Sequence, residues 1–317
     1  MRDKERKNEK GGVSVMEKRN EVSATRSTNL SGLWTASYGE IGASLKALED
    51  HGVTTEHLAR LRAESDYAKR VAEFMLRGGL EGSVHQKLAR AILGKNFFGI
   101  EEWATLYGVN FTNKQLREVA NFPWNEDVLN TPCPFHKGKS IKETHFAFLG
   151  LDGFKGKPLT IIKWQELHSK SGQPRFYSYA QDCWYAKEKF AINPTCRFRW
   201  YLMPLEIIPD STEKTYQEQV AMLPAEYEVP LAIEEVTKLI LYYRKNGIYL
   251  NQTNYGRCQD VTSDGSRVYV GRFDSYGLDV SYCWDDNRNY NIGLAASRNF
   301  FLYPIVKNAL LLGGRFI

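Results

Sequence analysis

Cysteine and histidine are sparse in this chain and long apolar runs are missing, and each shortage closes off a class of function. Five cysteines (Cys133, Cys183, Cys196, Cys258 and Cys283) are scattered over 317 residues. Odd in number and far apart, they suit reduced thiols in a cytosolic protein better than a disulfide framework. Cys133 and His136 make one Cys-x-x-His pair, but a zinc site needs about four ligands and no second pair stands at a suitable spacing. His51, His57, His85, His145 and His168 form no metal-ligand pattern either, so no metal and no other cofactor is expected. The chain shows neither a Gly-rich phosphate loop nor a Ser/His/Asp arrangement, and it is expected not to be an enzyme. The net charge of +5 is modest. Part of it lies in an N-terminal excess of Lys and Arg, and no basic stripe runs through a folded segment, so nucleic acid is not an expected partner. The charged N-terminus has no apolar run behind it and does not read as a signal peptide. The longest apolar stretch, Leu302–Leu312, is interrupted by Lys307 and Asn308 and falls short of the ~20 residues of a membrane span. These features place the expected location in the cytoplasm, away from membrane.

What is abundant is aromatic: 18 Tyr, 16 Phe and 7 Trp. Such residues serve both cores and recognition surfaces, and composition does not separate the two uses. The length suits about two domains. Residues 1–30 lack hydrophobic periodicity and read as a disordered basic tail. A helical region, 31–125, follows. Thr54 or Thr55 caps a helix in which Leu58, Leu61, Ala68, Val71, Ala72 and Met75 recur at helical spacing, stopped by Gly78-Gly79. Ser83 caps the next helix, with Leu88, Ala91 and Ile92 inward and Gly94 at its end. Ile100–Tyr107, a Gly108-Val109 turn and Thr112–Ala120 form a helix pair that could in principle present Asn113, Lys114, Gln115 and Arg117 to DNA, although such pairs most often simply pack together. Phe122 to Ser140 reads as a linker. Beyond it, Phe146–Leu149, Leu159–Ile162 and Arg197–Leu202 are predicted strands. Thr215–Leu223 and a helix from Pro230 to Gly247, burying Ile233, Val236, Leu239, Ile240 and Tyr243, interrupt them. Strands, then helices, then strands indicate an α+β domain over 126–303.

Gly265–Phe300 carries the functional signal. Val268 and Val270 alternate with Arg267 and Tyr269. Leu278, Val280, Tyr282 and Trp284 share one predicted face, and Asp279, Ser281 and Cys283 the other, so a hairpin with one buried and one exposed side is expected, turning through Phe273–Gly277. Tyr282 is ambiguous, since its hydroxyl could reach the surface. A loop over Asp285–Asn291 leads to a last strand through Ile292, Leu294 and Ala296. In Arg272–Asn291, 12 of 20 residues are Asp, Ser, Asn or Tyr. Asp, Ser and Tyr each lie one adenine change from an asparagine codon, and Phe, Cys, Arg and Gly lie two. Turn chemistry explains Asp285–Asn287. Tyr, Phe and Cys interleaved with small polar residues look instead like a paratope, with rigid anchors among adaptable groups.

Gly265-Ser266-Arg267, Trp284-Asp285-Asp286-Asn287-Arg288-Asn289-Tyr290-Asn291-Ile292-Gly293-Leu294 and Ala296-Ser297-Arg298 together resemble the ending of the C-type-lectin-like variable proteins of diversity-generating retroelements. That ending is also similar to the C-terminus of formylglycine-generating-enzyme-like domains, which share the fold. Gly94-Lys95-Asn96-Phe97-Phe98-Gly99, Trp200-Tyr201-Leu202 and Val229-Pro230-Leu231-Ala232 resemble an uncharacterised bacterial family with the same ending, so the likeness covers about Ala91 to Phe301. It implies a C-terminal C-type-lectin-like domain with a variable segment over 265–300. The formylglycine-generating enzymes carry a close cysteine pair near their C-terminus, whereas Cys258 and Cys283 are about 25 residues apart. The tail 304–317 extends past the usual end of the variable region.

The resulting expectation is a non-enzymatic binding protein. Its ligand, a protein or other macromolecule of unknown identity, would meet Tyr269, Phe273, Asp274, Ser275, Tyr276, Asp279, Ser281, Tyr282, Cys283, Asn287, Asn289, Tyr290 and Asn291. Val268, Val270, Leu278, Val280, Trp284, Ile292 and Leu294 would form a fixed frame. No calcium is implied, because the Glu-Pro-Asn-type motif of sugar-binding lectins is absent. Two alternatives stand beside it: an oxidoreductase of the formylglycine-generating-enzyme type, and a DNA-binding adaptor acting through residues 31–125.

Overall fold

The computed structural model describes residues 36–168, 172–177 and 183–299. The tails expected at 1–30 and 304–317, and Phe300 at the end of the variable segment, lie outside them. Two compact units divide the chain, Met1–Ser65 and Asp66–Ile317. The first holds α1 (Tyr38–Asp50) and α2 (Thr55–Ala63). In α1 the Ser37 hydroxyl accepts from the Glu40 N–H and the Glu40 carboxylate accepts from the Ser37 N–H, a reciprocal cap that satisfies two helix-end donors. Neither helix buries a residue.

The second unit runs through α3 (Ser65–Leu76), α4 (Val84–Leu93), β1 (Phe97–Phe98), α5 (Ile100–Tyr107), α6 (Asn113–Glu118), α7 (Glu126–Asn130), α8 (Ile141–Thr144), β2 (His145–Leu149), β3 (Gly153–Phe154), β4 (Lys157–Pro158) and α9 (Ile161–Leu167). It continues through α10 (Lys189–Ile192), β5 (Trp200–Pro204), α11 (Tyr216–Val220), β6 (Tyr227–Glu228), α12 (Ala232–Asn246), β7 (Tyr255–Val261), β8 (Arg267–Asp274), β9 (Gly277–Cys283), β10 (Ile292–Leu294) and β11 (Ser297–Arg298). Helices and strands mix without a repeating βαβ order, as α+β requires. A three-stranded sheet has the order β1-β2-β5, and a four-stranded sheet the order β10-β7-β8-β9. Helix α12 touches β1 and β2 of the former and β7 and β8 of the latter. It starts with Glu234 closing a cap on the Leu231 N–H and stops where Gly247 takes the left-handed conformation (φ 67°). Ile233, Val236, Leu239 and Ile240 are fully buried along it, while Tyr243 is half-buried.

Much of the aromatic content is spent on the core. Phe97, Phe98, Trp103, Phe146, Phe148, Trp164, Trp200 and Tyr201 are buried in one cluster. The same helix buries an ion pair that no apolar pattern reveals. Lys238 lies 2.8 Å from Glu235 and donates to the Pro204 carbonyl at 3.0 Å, and Asn251 donates to Glu235 at 3.2 Å. Burial pushes the Glu235 carboxyl up. A pair so deeply placed is maintained by these extra hydrogen bonds rather than by attraction alone. Among the described residues, no helix is long and apolar enough to cross a membrane.

Several local expectations are corrected. The helix read through Leu58 to Met75 is two, separated where Glu64 is extended (φ −113°, ψ 100°). Helix α4 buries Gln86, Ala89 and Leu93, not the face of Leu88 and Ala91, because the Gln86 amide turns inward to donate to the Val119 carbonyl. The expected linker at 122–140 packs into the core through Phe122, Trp124 and Leu129, and β1, from the expected helical region, pairs with β2. The chain therefore does not change bodies at residue 125. Leu159–Ile162 is not a strand: Thr160 caps α9 by accepting from the Lys163 N–H. The strand expected from Arg197 begins at Trp200.

Candidate functional site

Strands β8 and β9 form a hairpin in which Val268 opposes Tyr282, Tyr269 opposes Ser281 and Val270 opposes Val280. Alternation along the strands puts Val268, Val270, Leu278 and Val280 into the core, and leaves Arg267, Tyr269, Asp279, Ser281 and Cys283 half-buried on the outer face. The connection is shorter than the Phe273–Gly277 turn read from sequence. Only Ser275 and Tyr276 lie between Asp274 and its partner Gly277. Gly277 has φ +125°, and a Cβ there would lie 2.5 Å from Phe176 backbone, so glycine is required.

A bulge breaks the alternation. Register shifts between Gly271 and Asp274, where Arg272 adopts φ 40°. Its N–H donates to the Asn254 carbonyl (2.9 Å) and that of Phe273 to the Asn251 carbonyl (3.3 Å). One extra residue reverses the side on which the next side chain falls. Phe273, expected on the exposed face, is therefore fully buried against Tyr243 and Tyr249, with ring centroids 5.7 and 4.9 Å away.

The outer face continues onto β7 and β10, where Tyr255 and Arg257 stand beside Gly271 and Tyr269, and Ile292 and Leu294 stand beside Tyr255 and Arg257. The buried Tyr255 donates its hydroxyl to the Asp279 carboxylate at 2.6 Å and meets the Tyr269 ring edge-on, centroids 4.7 Å apart. Burial first, then the Asp279 carboxylate, pushes the Tyr255 phenol well above its ordinary value. Arg257 is completely buried. It donates to the Lys214 carbonyl, the Gln219 side-chain oxygen and the Cys283 sulfur, each at 3.2 Å, and to the Asn287 carbonyl.

The loop after β9 is pinned from beneath. Both ends of the Arg267 guanidinium reach Asp285 at 2.9 Å, and the guanidinium lies 3.9 Å over the Tyr216 ring. This fork holds the Asp285 carboxyl below its ordinary range. Arg288 meets Glu218 at 2.7 Å, and the Glu213 N–H donates to the Asn289 carbonyl at 2.8 Å.

Of the sequence-derived site residues, Ser275, Tyr276, Tyr282, Asn287 and Tyr290 are exposed, and Tyr269, Asp274, Asp279, Ser281, Cys283, Asn289 and Asn291 are half-buried. Phe273 alone is buried away from them. Tyr276 and Tyr290 are 71% and 76% exposed. Tyr282 belongs to the inner side of the hairpin, beyond the reach of the core, where Trp184 covers it at 4.7 Å between centroids. Trp284, expected in the fixed frame, is 59% exposed. It follows Cys283, the last residue of β9. The other frame residues, Val268, Val270, Leu278, Val280, Ile292 and Leu294, are buried.

Sequence reasoning missed the floor of Tyr255 and Arg257. Strand alternation could have placed them there, but a buried arginine looks like a surface residue in a pattern of hydrophobicity. It also missed residues 172–177, far away in sequence. Phe176 bridges Leu278, and Gln173 and Arg175 donate to the Ser275 carbonyl at 2.9 and 2.7 Å. The two late cysteines face opposite sides of the sheet. Cys258 is fully buried in the core with its thiol pushed well up by burial, whereas Cys283 lies on the outer face. Among the described residues, no group of three or more His, Cys, Asp or Glu side chains is placed to hold a metal ion. The chain matches no family model, no curated protein and no solved structure.

Proposed function

We propose that the chain is a non-enzymatic binding protein that displays a diversified surface on a C-type-lectin-like scaffold, as the variable protein of a diversity-generating retroelement. One observation carries the proposal. Apart from Tyr282 on the inner side, the Asp, Ser, Asn and Tyr residues that adenine-directed change would produce lie on the outer side of β8–β9 and in its two loops, while Tyr255 and Arg257 beneath them are buried and cross-bonded. Tyr276 and Tyr290 are the exposed aromatic anchors, and Ser275, Asp279, Ser281 and Asn287 supply adaptable polar contacts around them. Half-buried Tyr269 is fixed by Tyr255, so part of the aromatic surface is held rigid before any ligand arrives. Rigidity of this sort reduces the ordering cost of binding. The partner is a protein or other macromolecule whose surface accepts these anchors.

Sequencing the DNA beside the gene in many isolates tests the proposal. The expected finding is a near-identical template repeat, a reverse transcriptase gene nearby, and substitutions concentrated at adenine positions in the codons of the outer residues. Isolates that are invariant at Tyr276, Ser281, Asn287 and Tyr290, with no repeat, would overturn it.

A further inference from the structure

Helices α1 and α2 form a hairpin whose apolar side is left uncovered. Along α1, Tyr38, Ile41, Leu45 and Leu48 follow one another at spacings of three, four and three, the rhythm of a seam that packs against another helix. All four are exposed. Val53 in the turn, and Leu58 and Leu61 of α2, are half-buried. Between the helices lies a cleft of about 380 Å³, walled by Leu45, Leu48, Val53 and Leu58. Helices of 13 and 9 residues are marginal by themselves in water, and what stabilises such a helix is the surface that covers its apolar stripe. None of the described residues of this unit is buried.

The charges on the hairpin are divided between its two helices. In α1, Glu49 and Asp50 share Lys46, at 3.1 and 2.9 Å. Glu40 adds a further carboxylate, so the helix is acidic. In α2, Arg60 and Arg62 stand against Glu56, so the helix is basic. Arg60 reaches Glu64, just past the helix, at 2.9 Å, and Arg62 is exposed.

We infer that the cleft is filled by a second copy of this chain, two hairpins packing as a four-helix bundle with α1 of each against α2 of the other. A two-fold contact presents the same patch from both sides, so the patch must complement itself. An acidic helix beside a basic one does so when each meets its opposite on the other copy. The apolar seam supplies the attraction, and the flanking charges fix partner and orientation. A membrane surface fits less well, because anionic headgroups repel the acidic α1. The inference goes beyond the proposed ligand face and does not depend on it. A paired chain presents that face twice, which raises the apparent affinity for a repeated target.

Sedimentation of the full chain over a range of micromolar concentrations tests the inference. The expected result is a monomer–dimer equilibrium. Leu45→Gln combined with Leu48→Gln should weaken self-association about 100-fold, since each apolar side chain is used twice across the two-fold axis. A charge exchange is sharper. Arg60→Glu with Arg62→Glu makes both helices acidic, and Glu49→Lys with Asp50→Lys makes both basic. Each of these variants alone should sediment as a monomer with the circular dichroism of the parent, and an equimolar mixture of the two should restore the dimer. A chain that is monomeric throughout, which leaves the cleft to a foreign protein, would overturn the inference. So would a dimer indifferent to the Leu45 and Leu48 changes, or a mixture no more associated than its components. A monomer that dimerises only after residues 1–34 are removed would put that preceding segment in the cleft, and would overturn it equally. No ligand enters these measurements, so their failure and the failure of the binding proposal are read separately.

Discussion

Phe273 and Tyr276 stand three positions apart in a segment rich in adenine-reachable residues, yet they answer to different physics. Phe273 is enclosed by Tyr243 and Tyr249, whereas the Tyr276 side chain stands largely in water. Replacing Phe273 with Asn removes a buried ring and leaves an amide without partners. Urea denaturation should show a loss of about 3–5 kcal/mol. Tyr276→Asn should stay within ~0.5 kcal/mol of the parent. A small effect at Phe273 would mean that its ring belongs to the changeable face after all. His145 sets a second residue-scale expectation. It is fully buried, 2.9 Å from both the Tyr227 hydroxyl and the Thr144 hydroxyl, and burial lowers its pKa from 6.5 to about 3. In the unfolded chain the imidazole takes its proton near 6.5; in the folded chain it stays neutral. The stability tied to its neutral form is complete above the unfolded value and is lost as pH falls from there toward the folded one, at about 1.4 kcal/mol per pH unit. His145→Gln should flatten that part of the stability–pH curve, measured as the difference between variant and parent in denaturant titrations between about pH 7 and 5. An unchanged slope would show that His145 is not the group responsible.

Elements were readable in the sequence where a local signal ends them. Ser83, Thr112 and Thr215 cap the helices that follow them, each side chain accepting a backbone N–H three residues on, and Gly247 stops α12. Elements were misread where a tertiary contact decides. The run Leu159–Ile162 is short and apolar, a pattern shared by buried strands and helix starts, and only the Thr160 cap reveals the helix. Helix α4 turned away from its apparent apolar face because a polar side chain found a buried carbonyl. The β8 bulge left no mark in the hydrophobic pattern, since Arg at a positive φ is an exception to the rule that glycine goes there. That bulge is open to test. Arg272→Val puts a β-branched residue at a left-handed position and should cost about 1–2 kcal/mol by thermal denaturation. Arg272→Gly removes the strain but frees the unfolded chain, so it should fall within ~0.5 kcal/mol of the parent. Equal losses for both would point to the arginine side chain, not the backbone, as the source.

At the scale of the whole molecule, what the sequence left ambiguous was the purpose of its aromatic residues. The fold divides them: the Phe97, Trp103, Phe148 and Trp200 group fills the core, and Tyr276, Tyr282, Trp284 and Tyr290 remain outside it. The outer face was legible because period-two alternation and turn residues are local properties. Its floor was not, because Arg257 and Tyr255 act through residues as distant in sequence as Asn287 and Asp279. A surface that diversifies must be energetically separate from the body that carries it. Tyr276, Asn287 and Tyr290 have exposed side chains, whereas Val280 is fully buried. Changing the first three to Ser together should leave stability within about 1 kcal/mol of the parent, because substitutions of exposed side chains each cost little. Val280→Asp should remove most of the folded population, because it buries a charge with no partner. Thermal denaturation of the triple variant decides between two molecules. An unchanged melting temperature describes a scaffold that accepts new faces. A large drop would show that the loops themselves hold the sheet together, and such a sheet could not support a face that varies.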